Sequence, residues 1–187
     1  LCLSLSAISH AAESVQEIQF SVYLDESGKS NDVKFTTGII DPNANAYGSY
    51  AFNSSMNGWN YLDINANKSP LNSKAHLSNM FALGYAEGFS TCKEIHTFWP
   101  NFYKDLFGDL SSPPGIKTLK FIKDQWDWMG IMIEKHSNND SFWFSQLQTR
   151  RQLSGMLKGY NDGCLNKKTT TTLHNDNEAI RSNKYWN

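Results

Sequence analysis

The sequence predicts an α+β fold, an antiparallel sheet with packed helices. Four short strand-like segments come first, between residues 17 and 65. Longer segments with apolar residues three and four apart follow, between residues 74 and 160. Strands first and helices after, without alternation, put sheet and helices in separate layers. The 187 residues are 40% hydrophobic and 13% aromatic, with six Trp, which suffices for one substantial core and does not describe a disordered chain.

EIQFSVYL, residues 17–24, sets Ile18, Phe20, Val22 and Leu24 on one face, the mark of a half-buried strand. A polar turn follows, and VKFTTGII, residues 33–40, completes a hairpin. Asp41, Pro42 and Asn43 break it, and AYGSYAFN, residues 46–53, is a third strand. After a turn through Asn57, Gly58, Trp59 and Asn60, YLDIN, residues 61–65, points Tyr61 and Asp63 one way and Leu62 and Ile64 the other. Connections this short join antiparallel neighbours.

KAHLSNMFALGYAEGFSTCKEIH, residues 74–96, reads as one helix with its apolar and small residues on a common face. It carries Gly84 and Gly88, and each glycine costs about 1 kcal/mol relative to Ala in a helix interior. Close approach of another backbone, which only Gly allows, is the expected compensation. Glu87, the acid in the middle, is the candidate for a polar task beside that packing role. The sequence Trp99-Pro100-Asn101-Phe102-Tyr103 is expected to close the helix, and Ser111-Ser112-Pro113-Pro114-Gly115 reads as a strong break. Residues 116–136 are helical, with Leu119, Ile122, Trp126, Met129 and Ile133 in register. Ser137-Asn138-Asn139-Asp140 ends that helix and caps the next, residues 141–160, which aligns Trp143, Leu147, Arg150, Leu153 and Leu157.

Three divisions result. LCLSLSAISHAA, residues 1–12, has the character of a secretory signal's apolar region and cleavage end, without a basic start. The alternative is a buried first strand or helix. Residues 13–163 form the folded domain. Residues 164–187, with four consecutive Thr and many Asn, lack apolar periodicity and are expected to be disordered or foreign to the fold. The sequons at Asn53 and Asn139 are candidate glycosylation sites on a secretory route.

A net charge of −1 gives no basic field for nucleic acid and no polybasic run for anionic lipid. No run of 18 apolar residues exists, so no transmembrane span is expected. His10, His76, His96, His136 and His174 are scattered without ligand spacing, so neither metal nor cofactor is expected. There is no HExxH motif, phosphate-binding glycine loop or Gly-x-Ser-x-Gly elbow. Arg150 and Arg151 are either surface charges or a phosphate contact. With Cys2 removed in a signal, Cys92 and Cys164 remain, too few for a disulfide framework. Cys92 reads as core packing near the negative end of its helix. Cys164 is the weak nucleophile candidate: cut before it, the chain would present its own amine as base for its thiol. Otherwise it is an unreactive loop residue.

The order of pieces carries a resemblance. Asn57-Gly58-Trp59-Asn60-Tyr61-Leu62-Asp63-Ile64 precedes a helix holding Gly84-Tyr85-Ala86-Glu87-Gly88-Phe89-Ser90-Thr91, with Ile95, His96 and Asn101 beyond it. Trp126 and Met129 follow, then Phe142-Trp143 and Gln152-Leu153-Ser154-Gly155-Met156-Leu157-Lys158-Gly159-Tyr160. Over residues 17–163 this resembles the N-terminal part of the phospholipase B-like (lamina ancestor-like) family. The resemblance implies an N-terminal nucleophile hydrolase with an αββα sandwich, secreted or lysosomal and glycosylated. It implies a precursor that cuts itself, leaving a C-terminal fragment whose first Cys removes acyl chains from phospholipids. Residues 164–187 lack the acidic stretch and Cys-Ser of that family, and Leu165 follows Cys164, so the nucleophile is expected outside this chain. The implied partners are a phospholipid or other acyl or amide substrate and the C-terminal fragment of the same precursor. The alternative is a non-catalytic secreted binding or structural domain.

Overall fold

Period-two patterning produces four strands: β1 Gln16–Leu24, β2 Val33–Thr37, β3 Ala46–Phe52 and β4 Tyr61–Ala66. The computed structural model describes residues 16–25, 33–52, 58–71, 73–109 and 111–165. The expected signal remnant, residues 1–12, the sequon at Asn53 and residues 166–187 lie outside the described residues. The strands form one antiparallel sheet in the order β2-β1-β3-β4. The expected hairpin is present but β2 stops at Thr37, three residues early. Gly38 turns the chain there with φ 80°. The segment after it folds back over Ser21, whose hydroxyl donates to the Ile39 carbonyl at 2.9 Å and accepts from the Asp41 amide at 2.9 Å.

The expected single helix over residues 74–96 is two helices, α1 Lys74–Ser90 and α2 Cys92–Phe107. Thr91 divides them. Its backbone leaves helical geometry, with φ −106° and ψ 18°, which ends α1, while its amide and its hydroxyl both donate to the Glu87 carbonyl at 3.0 and 2.8 Å. At the other end, the Ser73 hydroxyl caps α1 by accepting from the His76 amide at 3.0 Å. Pro100 does not close a helix as expected; it lies inside α2. Rings three and four residues apart bridge it: Phe98 with Phe102, Trp99 with Phe102 and Trp99 with Tyr103, centroids 5.2, 6.3 and 5.5 Å apart.

The predicted break at Pro113-Pro114-Gly115 is the first turn of α3, Pro113–His136. Proline fits there because first-turn amides have no intrahelical partner to lose. Ser112 caps the turn by accepting from the Gly115 amide at 3.3 Å. The last helix, α4 Ser141–Tyr160, runs over the predicted residues. Asp140 caps it as expected, accepting from the Phe142 amide at 2.8 Å. A π-helical turn, Asn161–Leu165, continues from its end.

Helix α1 is sandwiched. Phe81, Ala82, Tyr85 and Ala86 pack on Phe20, Val22, Ala46 and Tyr50 of the sheet, with Phe35 and Phe89 at the margin. Its other side lies against α4, so the expected common face resolves into two. The apolar side meets the sheet and the glycine side meets a backbone. A Cβ on Gly84 would stand 1.8 Å from the Gln152 carbonyl oxygen, and one on Gly88 2.0 Å from that of Met156. The relation is reciprocal: a Cβ on Gly155 would stand 2.0 Å from the Phe81 carbonyl oxygen, and one on Gly159 2.2 Å from that of Tyr85. Close backbone approach therefore accounts for the two costly glycines, and Cα–H to carbonyl contacts come with it.

Candidate functional site

Polar side chains concentrate where the end of α1, the start of α2 and the end of α4 meet. Dividing the helix at Thr91 puts Cys92 at the start of α2 rather than near a helix end. Cys92 is buried at 2% exposure and joined to Cys164, 72 residues away, in a disulfide. The expectation of two unpaired thiols is thereby corrected. Cys164 lies in the π turn, tied to the core. Its sulfur is bonded to Cys92 and offers no thiolate in this state.

One turn along α2, His96 Nδ1 lies 2.9 Å from the Tyr160 hydroxyl, their rings stacked at 6.4 Å. Below that pair, Tyr85 donates to Asp162 Oδ2 at 3.1 Å, and Lys158 Nζ donates to the same oxygen at 2.5 Å. Tyr85 is 1% exposed. Burial, then the Asp162 carboxylate, pushes its phenol far above the usual value. Burial likewise raises the Tyr160 phenol. Both phenols stay protonated at physiological pH.

On the sheet side of α2, Glu94 Oε1 accepts from the Tyr50 hydroxyl at 2.8 Å and from Asn60 Nδ2 at 3.3 Å. Burial, then this carboxylate, raises the Tyr50 phenol far above its usual range. Glu94 Oε2 is buried and has no hydrogen-bond partner among the described residues. An acceptor in that state is costly unless a donor arrives from outside.

The remaining predicted residues are dispersed. Glu87 sits at the α1–α4 seam, where Gln152 Nε2 reaches its Oε2 at only 3.4 Å. Asn139 is exposed in the turn between α3 and α4. His76 Nε2, at the start of α1, lies 2.7 Å from Gln148 Nε2, and His96 is on the next helix, α2. Among the described residues no three His, Cys, Asp or Glu gather as a metal site, and no helix is long and apolar enough to cross a membrane. Sequence reasoning did not find Glu94; the signal was an acid in the first turn of the aromatic helix α2. Arg150 stacks over Trp126, its Cζ 4.5 Å from the ring, and its Nη1 donates to the Trp126 carbonyl at 3.3 Å.

The phospholipase B family model matches residues 46–178. Phospholipase B-like protein D of Dictyostelium discoideum is 27% identical over 176 residues, covering 91% of this chain and 28% of that one. Phospholipase B of Crotalus adamanteus is 27% identical, covering 85% and 28%. Phospholipase B-like 1 of Homo sapiens is 28% identical over 124 residues, covering 65% and 21%. The chain thus spans under a third of the length of these curated relatives.

Proposed function

Because this chain belongs to the phospholipase B family, we propose that it is the N-terminal region of a hydrolase that removes acyl chains from phospholipids. The family match over residues 46–178 carries this reading. The nucleophile is a Cys outside this chain, exposed when a precursor is cut, with its own amine as base. The attacking thiolate displaces the lipid alcohol from the acyl carbonyl; water then releases the fatty acid and restores the thiol. Both described cysteines being joined as a disulfide supports placing that nucleophile elsewhere.

This chain supplies one sheet and one helical layer of an αββα sandwich, and the rest of the precursor supplies the other half. Two observations support that division. Helix α3 leaves Ile116, Leu119, Phe121, Ile122, Trp128 and Ile131 exposed, more apolar surface than a finished domain leaves on one helix. Glu94 Oε2 is buried with no hydrogen-bond partner among the described residues. The disulfide favours an oxidising compartment, so the protein is secreted or lysosomal, with glycans at Asn53 and Asn139. A glycosidase should lower the mass of the native protein, and Asn139→Gln should remove part of that shift; no shift would sink the glycan assignment.

The test uses the full-length precursor. N-terminal sequencing of its mature fragments should find one that begins with Cys, and phospholipid vesicles should yield free fatty acid until that thiol is alkylated. Fatty acid release unaffected by alkylation, or none at all, overturns the mechanism. The second reading is a secreted binding domain without catalysis; it is favoured by the same disulfide, since this chain alone then offers no described thiol.

A further inference from the structure

A groove of about 610 Å³ runs between the second half of α3 and the middle of α4. Its walls carry Asp127 and Glu134 from α3 and Arg150, Arg151 and Ser154 from α4. Asp127 is committed to Lys123, 2.6 Å away. Glu134 and Arg151 form no ion pair with each other or with any described residue, although they line the same groove. Gly130 lines it too, and a Cβ there would stand 2.7 Å from Arg150 Nη1. The Trp126 ring and carbonyl hold the same guanidinium in place.

A groove lined by both signs of charge, kept apart, complements a ligand that carries both. A plain anion would gain from the arginines but suffer from Glu134 and Asp127. A plain cation would meet the reverse. We propose that this groove binds a zwitterionic phosphate ester. Arg150 and Arg151 take the phosphate, with Ser154 as a neutral donor, and Glu134 takes the ammonium. That is the headgroup chemistry of phosphocholine and phosphoethanolamine. Trp126 and Leu153, both over 40% exposed and adjoining Arg150 and Ser154, offer apolar surface to whatever the ester carries. A lipid as the source of the headgroup rests on the phospholipid reading above; the zwitterion preference rests on the groove alone.

The test is a titration of the isotope-labelled chain followed by nuclear magnetic resonance, whose dispersed spectrum also reports folding. The probes are phosphocholine, inorganic phosphate, choline, glycerophosphocholine and lysophosphatidylcholine below its micelle concentration. Phosphocholine should shift the signals of Arg150, Arg151 and Glu134 and bind about tenfold more tightly than phosphate or choline. Arg151→Gln should weaken phosphocholine and phosphate alike, by about tenfold. Glu134→Gln should weaken phosphocholine while leaving phosphate as tight or tighter. Both residues are exposed, so neither variant threatens the fold. Equal binding of phosphate and phosphocholine, indifference to Glu134→Gln, or no shift at all overturns the site. Lysophosphatidylcholine should bind more tightly than glycerophosphocholine; equal affinities overturn the lipid as source. These readouts do not depend on fatty acid release, so this proposal and the hydrolase reading fail separately.

Discussion

Helices α1 and α3 bury their sequences in opposite ways. The 17 residues of α1 lie between the sheet and α4, with Phe81, Ala82, Tyr85 and Ala86 in the core and glycines meeting carbonyls on the far side. The 24 residues of α3 bury only Gly115 and Ile133. Phe121 is 63% exposed and Trp128 48%. Yet α3 carries the cleaner helical pattern in the sequence. Helical periodicity announces a face that wants burial; it does not say that the cover lies in the same chain. The glycines of α1 say more, because their cost is recovered only where another backbone comes close.

This contrast makes graded stability predictions. Cys92→Ser with Cys164→Ser should weaken the fastened half most, by about 4 kcal/mol in denaturant unfolding, because the bond closes a loop of 72 residues. A loss below about 1 kcal/mol would mean the helix junction holds without it. Gly84→Ala should cost about 3 kcal/mol by the same measurement, since its Cβ meets a carbonyl oxygen that belongs to α4's own ladder. A neutral outcome would show that α1 and α4 sit farther apart than described. Tyr85→Phe should cost about 1 kcal/mol by removing the donor to Asp162.

The same tyrosine sets an alkaline limit. Tyr50 and Tyr85 have raised phenol pKa values in the folded chain. The unfolded chain loses those protons first, so the contribution of these two tyrosines to stability is constant below about pH 10 and falls above it. Thermal unfolding between pH 8 and 11 should show the decline, and Tyr85→Phe should flatten it. A curve falling from pH 8 would contradict this. Phe121→Gln and Ile122→Gln on α3 should shift stability by no more than about 0.5 kcal/mol while lowering binding of an apolar dye. A larger loss would show that α3 already has a partner.

The sheet was legible because alternation in residues 17–65 needs only one buried face, and Phe20 and Val22 supply it. Close approach of another backbone to α1 was legible from Gly84 and Gly88; that α4 supplies it was not. The division at Thr91 was not, because Thr91-Cys92-Lys93 contains no breaker; the stop lies in the Thr91 backbone, at φ −106° and ψ 18°. Pro100 misled, since aromatic contacts across it outweigh a missing amide. The disulfide was hidden because two cysteines 72 residues apart meet only through the packing of α1 on α4. Glu87 drew attention as the central acid, whereas the better satisfied and half-orphaned carboxylate is Glu94, one helix later.

The most direct measurement is hydrogen exchange and carboxyl or aromatic labelling of α3 in two samples, this chain alone and the full-length precursor. Leu119, Phe121, Ile122 and Trp128 should be open in the chain alone and protected in the precursor, while α1 is protected in both. Equal exposure of α3 in the two samples would contradict the proposal that the rest of a longer precursor packs on it.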